Sequence, residues 1–219
     1  MKKLTIPFFQ LEEKASIERI AMQMDKLVRH NLDYSLWENP EIKPRASFAI
    51  AYDQYNFFLK FYVEEPFIRA IYRSINSEVY RDSCVEFFVG FGDDNGYYNL
   101  EFNCLGTCLG QFGADRDDRV FLPPGVLRNI KTCTRIGASG NHNLHTWELT
   151  IKIPIVVFSH SMESSIHGNT LRLNFYKCGD DLEEKHYLAW SQIESLEPNF
   201  HLPAFFGEGN LESAPCLFS

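Results

Sequence analysis

The chain has 219 residues, 45% hydrophobic and 23% charged with modest Gly and Pro, which excludes a disordered, collagenous or low-complexity protein and leaves enough apolar material for one large core. Its 21 Lys and Arg against 29 Asp and Glu give a net charge of −8, so no basic surface is available to neutralise a phosphate backbone or an anionic bilayer, and neither nucleic acid nor membrane is expected as a partner. The excess is aromatic: 19 Phe, 10 Tyr and 3 Trp favour strands, or an aromatic ligand site, over helices.

At the start, the apolar stretch behind Met1-Lys2-Lys3 is broken by Pro7 and Gln10 and ends at Glu12 and Glu13, too short for a secretory signal. No later window reaches the roughly 18 apolar residues of a membrane span. A cytoplasmic location is therefore expected. Residues 16–29 read as a helix: Ile17, Ile20, Ala21, Met24, Leu27 and Val28 recur at three and four behind Ser16 as N-cap. Trp37, in Leu36-Trp37-Glu38-Asn39-Pro40, is expected to close an edge of the fold. From there the period becomes two. Runs at 46–52, 57–64, 83–91, 97–106, 126–136, 147–153, 171–178 and 187–191 are separated by turn clusters such as Gly92-Asp93-Asp94-Asn95-Gly96 and Gly137-Ala138-Ser139-Gly140-Asn141. At least eight strands without intervening helices predict an all-β protein, an antiparallel β-sandwich of jelly-roll or immunoglobulin-like type with one N-terminal helix. Trp147 falls on the apolar side of its strand and is assigned to the core, whereas Trp190 suits either core or platform.

Two strands carry unusual outward faces. Asn99, Glu101 and Asn103 alternate with Leu100, Phe102 and Cys104; Arg172, Asn174 and Tyr176 alternate with Leu171, Leu173 and Phe175. Asn is a poor strand former, so these positions serve either a satisfied polar network or a ligand with many hydroxyls, such as a sugar. Six cysteines (Cys84, Cys104, Cys108, Cys133, Cys178, Cys216) are too few for a disulfide scaffold and are expected to be free thiols. Glu86 and Glu101, on neighbouring strands, are the pair a glycosidase would need, but strand carboxylates more often pair with Arg or Lys, and no turnover is expected. Neither His142-Asn143-Leu144-His145 with Cys133 or Cys178, nor the Cys104 to Cys108 spacing, matches a structural zinc pattern. No cofactor is expected. Calcium is left open at Asp93-Asp94-Asn95-Gly96 or at Asp115, Asp117 and Asp118, where an acidic solvated turn is the simpler reading. Haem would need an axial pair, and Met22, Met24 and Met162 do not fall where a strand would supply it.

Asp82-Ser83-Cys84-Val85-Glu86-Phe87 resembles the D-S-x-E-x-F core strand of family 9 carbohydrate-binding modules, in the variant with an extra residue common in a bacterial family 9-like group. Further segments agree in order: Tyr97-Tyr98-Asn99-Leu100-Glu101-Phe102-Asn103 before Gly106, Trp147-Glu148-Leu149 ending in Ile153-Pro154, Asn174 through Asp180, and Trp190-Ser191 followed by Pro203 and Phe206-Gly207. The resemblance covers roughly residues 40–213, so the chain is expected to be a single domain over 1–219 with residues 1–40 as an N-terminal extension. It implies a sandwich that binds glycans without turning them over, often attached to xylan-degrading enzymes. In that family's xylan and cellulose binders two tryptophans clamp the terminal sugar; here the matching positions are Val79, with Tyr80 beside it, and Phe200. The resemblance thus implies Phe200 as an apolar platform on a loop outside the core, Tyr80 or Tyr176 opposite, and Asn99, Glu101, Asn103 and Asn174 reading hydroxyls. The function expected is a non-catalytic module for a plant-type polysaccharide or oligosaccharide such as xylan. The alternatives are a protein-interaction or accessory sandwich that has lost its sugar site and, more remotely, a glycoside hydrolase.

Overall fold

Alternation of apolar and polar residues does produce strands, and they stack into two sheets. The computed structural model describes residues 1–12, 15–92, 95–140, 144–161 and 170–213. In chain order the elements are β1 (Lys3–Ile6), α1 (Ile17–Met24), β2 (His30–Asn31), β3 (Tyr34–Leu36), β4 (Arg45–Tyr52), β5 (Asn56–Glu65), β6 (Cys84–Phe91) and β7 (Tyr97–Asn103). They continue with β8 (Cys108–Gly113), β9 (Arg119–Phe121), α2 (Pro124–Leu127), β10 (Lys131–Ala138), β11 (His145–Pro154), β12 (Thr170–Cys178), β13 (Tyr187–Ala189) and β14 (Gly207–Leu211). The larger sheet runs β1-β14-β12-β6-β7-β8-β9, with β13 joining β12 to β3; the smaller runs β10-β11-β5-β4-β2. All strand pairs are antiparallel except β1 with β14. The result is an all-β antiparallel sandwich, and no helix among the described residues is long and apolar enough to cross a membrane.

The core between the sheets comes from one parity of each strand. Val85, Phe87 and Val89 of β6, Leu100 and Phe102 of β7, and Leu173 and Phe175 of β12 meet Phe48 and Ile50 of β4, Leu59 and Phe61 of β5, and Trp147, Leu149 and Ile151 of β11. Phe175 is stacked on both sides, with ring centroids 3.6 Å from Phe48 and 5.2 Å from Phe87. Trp147 is core as expected, and Trp190, the ambiguous one, is also core, only 2% exposed and edge-on to Phe48 and Phe175.

Three expectations are corrected. The helix stops at Met24 rather than reaching residue 29: beyond it the Lys26 and Leu27 N–H groups bond three residues back, to the Gln23 and Met24 carbonyls, while the Asp25 carboxylate accepts from Lys60 Nζ (2.6 Å) and Tyr62 OH (2.8 Å) and holds the chain on the small sheet. Val28, assigned to the apolar face, is left 73% exposed. Residues 126–136 are not one strand. Pro124 at the first helical position starts α2, and β10 begins only at Lys131. Finally, residues 1–40 are built into the sandwich rather than extending from it: β1 and β3 belong to the larger sheet and β2 to the smaller.

The two sheets are also joined by a buried ion pair. Lys177, which occupies the inward parity of β12, reaches Glu65 Oε2 of β5 at 2.8 Å, and both side chains are wholly buried. Trp147 Nε1 donates to Glu65 Oε1 at 2.6 Å, while Lys177 Nζ also donates to the Cys178 carbonyl (2.7 Å) and lies 2.8 Å from His186 Nε2. Burial alone would raise the Glu65 carboxyl, but Lys177 and His186 outweigh it and hold the group down at about 2.

Removing one partner of such a pair strands the other charge, so Glu65→Gln is expected to cost about 3–5 kcal/mol in chemical denaturation. Because the folded-state value is depressed, the contribution of Glu65 is complete above about 4.5 and is lost as pH falls through about 2. The stability gap between wild type and Glu65→Gln should therefore narrow on acidification; a gap independent of pH over that window would contradict the assignment.

Candidate functional site

With Val85, Phe87 and Lys177 turned inward, the opposite parity of the larger sheet faces outward, yet it is not open to solvent. A second apolar cluster, including Val79, Phe88, Tyr97, Tyr176, Ile193 and Phe206, covers much of it. What remains uncovered is a cleft of about 360 Å³, floored by Glu86 of β6, Glu101 of β7, Gln111 of β8 and Cys178 at the end of β12. Tyr80, Asp180, Tyr187, Trp37, Phe200 and His201 stand around it, with the Tyr187 ring against both Trp37 and Phe200.

The floor is acidic. Glu86 and Glu101 are direct cross-strand partners, 3% and 5% exposed. Burial, reinforced by Cys178 and Glu101, pushes the Glu86 carboxyl well above the carboxylate range, and burial raises Glu101 to about 7. Cys178 Sγ lies 3.0 Å from Glu86 Oε1. Glu101 Oε1 accepts from Asn99 Nδ2 at 2.7 Å, whereas its Oε2 has no hydrogen-bond partner. Asp180 is raised by burial as well, and His201 is held neutral, down to about 3, by burial and by Arg119 and Arg116. A carboxyl kept protonated near neutrality can donate as well as accept a hydrogen bond.

The walls are aromatic. Trp37 adopts a left-handed backbone (φ 56°), uncommon for a bulky residue and maintained only where its surroundings fix it. Its Nε1 donates to the Ser195 carbonyl at 2.8 Å, and its ring meets Tyr187 edge-on at 5.5 Å and Phe200 at 5.6 Å. Phe121, on the short edge strand β9, is 56% exposed at the rim.

The residues expected from the sequence divide into two groups. Tyr80, Glu101 and Phe200 line the cleft together. Asn99, Asn103, Asn174 and Tyr176 share the outward parity but lie beneath it. Asn99 positions Glu101 and accepts from Arg119 Nε at 2.9 Å. Asn103 donates to the Tyr72 carbonyl and Asp82 and accepts from the N–H groups of Leu105 and Thr107, so its amide is fully used in the turn that left-handed Gly106 (φ 81°) closes. Asn174 exchanges hydrogen bonds with the Ser191 backbone, tying the strand to the segment after β13. Tyr176 does not stand opposite Phe200. It stacks directly under it, centroids 4.0 Å apart and planes within 7°. Phe200 itself is 9% exposed, so it is a core residue showing one edge to the cleft rather than a free loop platform. Val79 is wholly buried. Trp37, Phe121 and Tyr187 were missed, because each enters from a separate segment with no local signal that these segments meet.

The proposed metal spacings do not assemble. Cys104 and Cys108 face the core, His145 is exposed at the start of β11, and His142, like Met162, lies outside the described residues. Asp115 spends Oδ1 on the N–H groups of Asp117 and Asp118, an Asx turn; Asp93 and Asp94 lie outside the described residues. Cys84, Cys104, Cys108, Cys133 and Cys178 are free thiols, and Cys216 lies outside the described residues.

Residues 16–211 match the sequence profile of carbohydrate-binding family 9. Among solved structures, a protein of Bacteroides uniformis ATCC 8492 put forward as carbohydrate-binding is 34% identical, with a TM-score of 0.87 over 96% of this chain and 99% of that one. A family 9 carbohydrate-binding module of Caldicellulosiruptor kristjanssonii, solved with cellotriose, is 13% identical with a TM-score of 0.60 over 100% and 97% of the two chains. A family 9 module of the same organism, solved with glucose, is 12% identical with a TM-score of 0.56 over 97% of each. No curated protein matches the chain.

Since Phe200 packs between Tyr176 and Trp37, Phe200→Ala should destabilise the fold by about 3–5 kcal/mol, the range for an excised core aromatic. Phe121→Ala, at the exposed rim, should stay within about 0.5 kcal/mol of wild type. Equal thermal shifts in the two variants would contradict this division.

Proposed function

We propose that this chain, which belongs to carbohydrate-binding family 9, holds a saccharide in the cleft on the outer face of its larger sheet and releases it unchanged. One observation carries the reading: aromatic walls stand over a floor of fixed polar groups. Aromatic faces cover the C–H side of a sugar ring at small entropy cost, and short polar side chains on strands hold hydroxyls to a set geometry. Trp37, Tyr80, Tyr187 and Phe121 supply the first kind of surface, and Gln111 and Glu101 the second. The vacant hydrogen-bonding capacity of Glu101 Oε2 is the group on the floor best suited to a hydroxyl, because a buried oxygen left unpaired costs free energy that a ligand recovers.

The ligand class we favour is a plant-type oligosaccharide, cello- or xylo-configured, since a cleft of about 360 Å³ accommodates one or two rings and the structural relatives above include modules solved with cellotriose and glucose. Binding without turnover is part of this reading: Glu86 and Glu101 are direct cross-strand partners whose carboxyls burial shifts upward, and Glu86 is engaged by Cys178 rather than free to act as a nucleophile.

Isothermal titration against cello-, xylo- and manno-oligosaccharides tests the reading. Trp37→Ala and Phe121→Ala should each weaken binding by about 1–3 kcal/mol, as hot-spot aromatics do, with the circular dichroism of Phe121→Ala unchanged. No reducing sugar should be released. Undiminished affinity in both variants would move the ligand elsewhere, and absence of binding to all three series would favour an accessory sandwich instead.

A further inference from the structure

The cleft floor holds a donor set that saccharide binding does not use. Cys84 and Cys178 are cross-strand partners on β6 and β12, and Glu86 follows Cys84 by two residues on the same face. Both sulfurs and a Glu86 carboxylate oxygen lie within 4.8 Å of one another, and all three side chains are at least 97% buried. Two thiols and a carboxyl are thus gathered on one buried patch, joined by the Cys178 Sγ–Glu86 Oε1 contact, a donor set that a metal ion would take over as the thiol protons leave.

Among the described residues no Lys or Arg forms an ion pair with Glu86. Lys177, on the next residue of β12, points through the other face of the sheet and is engaged by Glu65. Arg119 is spent on Asn99 and on the carbonyls of Tyr97 and Asp115. The lining of the cleft adds three further acids, Glu78, Glu101 with its unpartnered Oε2, and Asp180, against one arginine, Arg116. Glu86 and Cys178 both border the cleft, which provides an entry path, while Cys84 closes the site from behind.

We propose that Cys84, Cys178 and Glu86 form a binding site for a divalent ion of the zinc class, with the fourth position open to the cleft. Thiolate ligands select zinc over calcium or magnesium, and a divalent ion with one carboxylate and two thiolates makes a tetrahedral site of net charge −1 with room for water or a ligand oxygen. Donors at about 2.0–2.3 Å from a central ion stand about 3.6 Å apart, so Cys178 Sγ and Glu86 Oε1, now 3.0 Å apart, would separate slightly, and no pair in the cluster starts beyond 4.8 Å. The proposal goes beyond saccharide binding and stands or falls without it: the ion is measured in the absence of sugar.

The test is cobalt and zinc titration of the full, reduced chain. One equivalent of Co²⁺ should produce thiolate-to-cobalt charge-transfer absorption that Zn²⁺ displaces. Cys84→Ser and Cys178→Ser should each abolish it, whereas a Cys133→Ser, Cys216→Ser double variant should keep it. Should the Cys84 or Cys178 variants fail to fold, X-ray absorption of zinc-loaded wild type decides alone: two sulfurs per zinc at about 2.3 Å are expected. Absence of charge transfer in wild type, its survival in Cys178→Ser, its loss in the double variant, or fewer than two sulfurs in the zinc shell would overturn the assignment.

Discussion

The contact between Lys177 and Glu65 decides which way the central strand faces. A buried ammonium has few acceptable neighbours, and on β12 the one available is a carboxylate that belongs to the opposite sheet and is held by Trp147. With Lys177 turned inward, Asn174, Tyr176 and Cys178 are turned outward, since side chains alternate strictly along a strand. A slip of one residue would put the ammonium into the cleft and the Cys178 thiol into the core. The composition of the cleft floor is therefore a consequence of an interaction made on the other side of the sheet.

A second constraint follows from burial on both faces. β6, β7 and β12 pack against the small sheet on one side and against the segments before β6 and after β13 on the other, so polar groups on the outward parity must be satisfied internally or by something bound. The asparagines take the first course. Asn103 is saturated by a turn, Asn174 by the Ser191 backbone, and Asn99 by Glu101, Gln111 and Arg119. Glu101, which borders the cleft, takes neither course completely, since its Oε2 has no partner. That open oxygen, rather than polarity as such, separates the cleft floor from the asparagines beneath it.

Neither class of residue is sufficient alone. The aromatic walls come from the loop after β3, the turn before β6, β9, β13 and residues 198–201, while the floor comes from β6, β7, β8 and β12. Rigid strands locate the polar groups, and loops bring the rings over them. This division matches what a sugar presents, since hydroxyls demand fixed directions and C–H faces tolerate a less exact surface.

Much of the sandwich was legible in the sequence by itself. Period-two alternation located the long strands and the parity of Asn99, Glu101 and Asn103, because the β7 residues packed toward the small sheet are apolar while those between them are not held to be. The short strands β1, β2, β3, β9 and β14 were not legible: two to five residues carry too little periodicity, and most of their pairing depends on partners distant in the chain. Family resemblance located Tyr80 and Phe200 at the cleft, but whether Phe200 is platform or core depended on Tyr176 stacking beneath it. Only the tertiary structure brought Trp37 to Phe200 and Cys84 to Cys178, since long-range neighbours are set by sheet order and register rather than by local pattern.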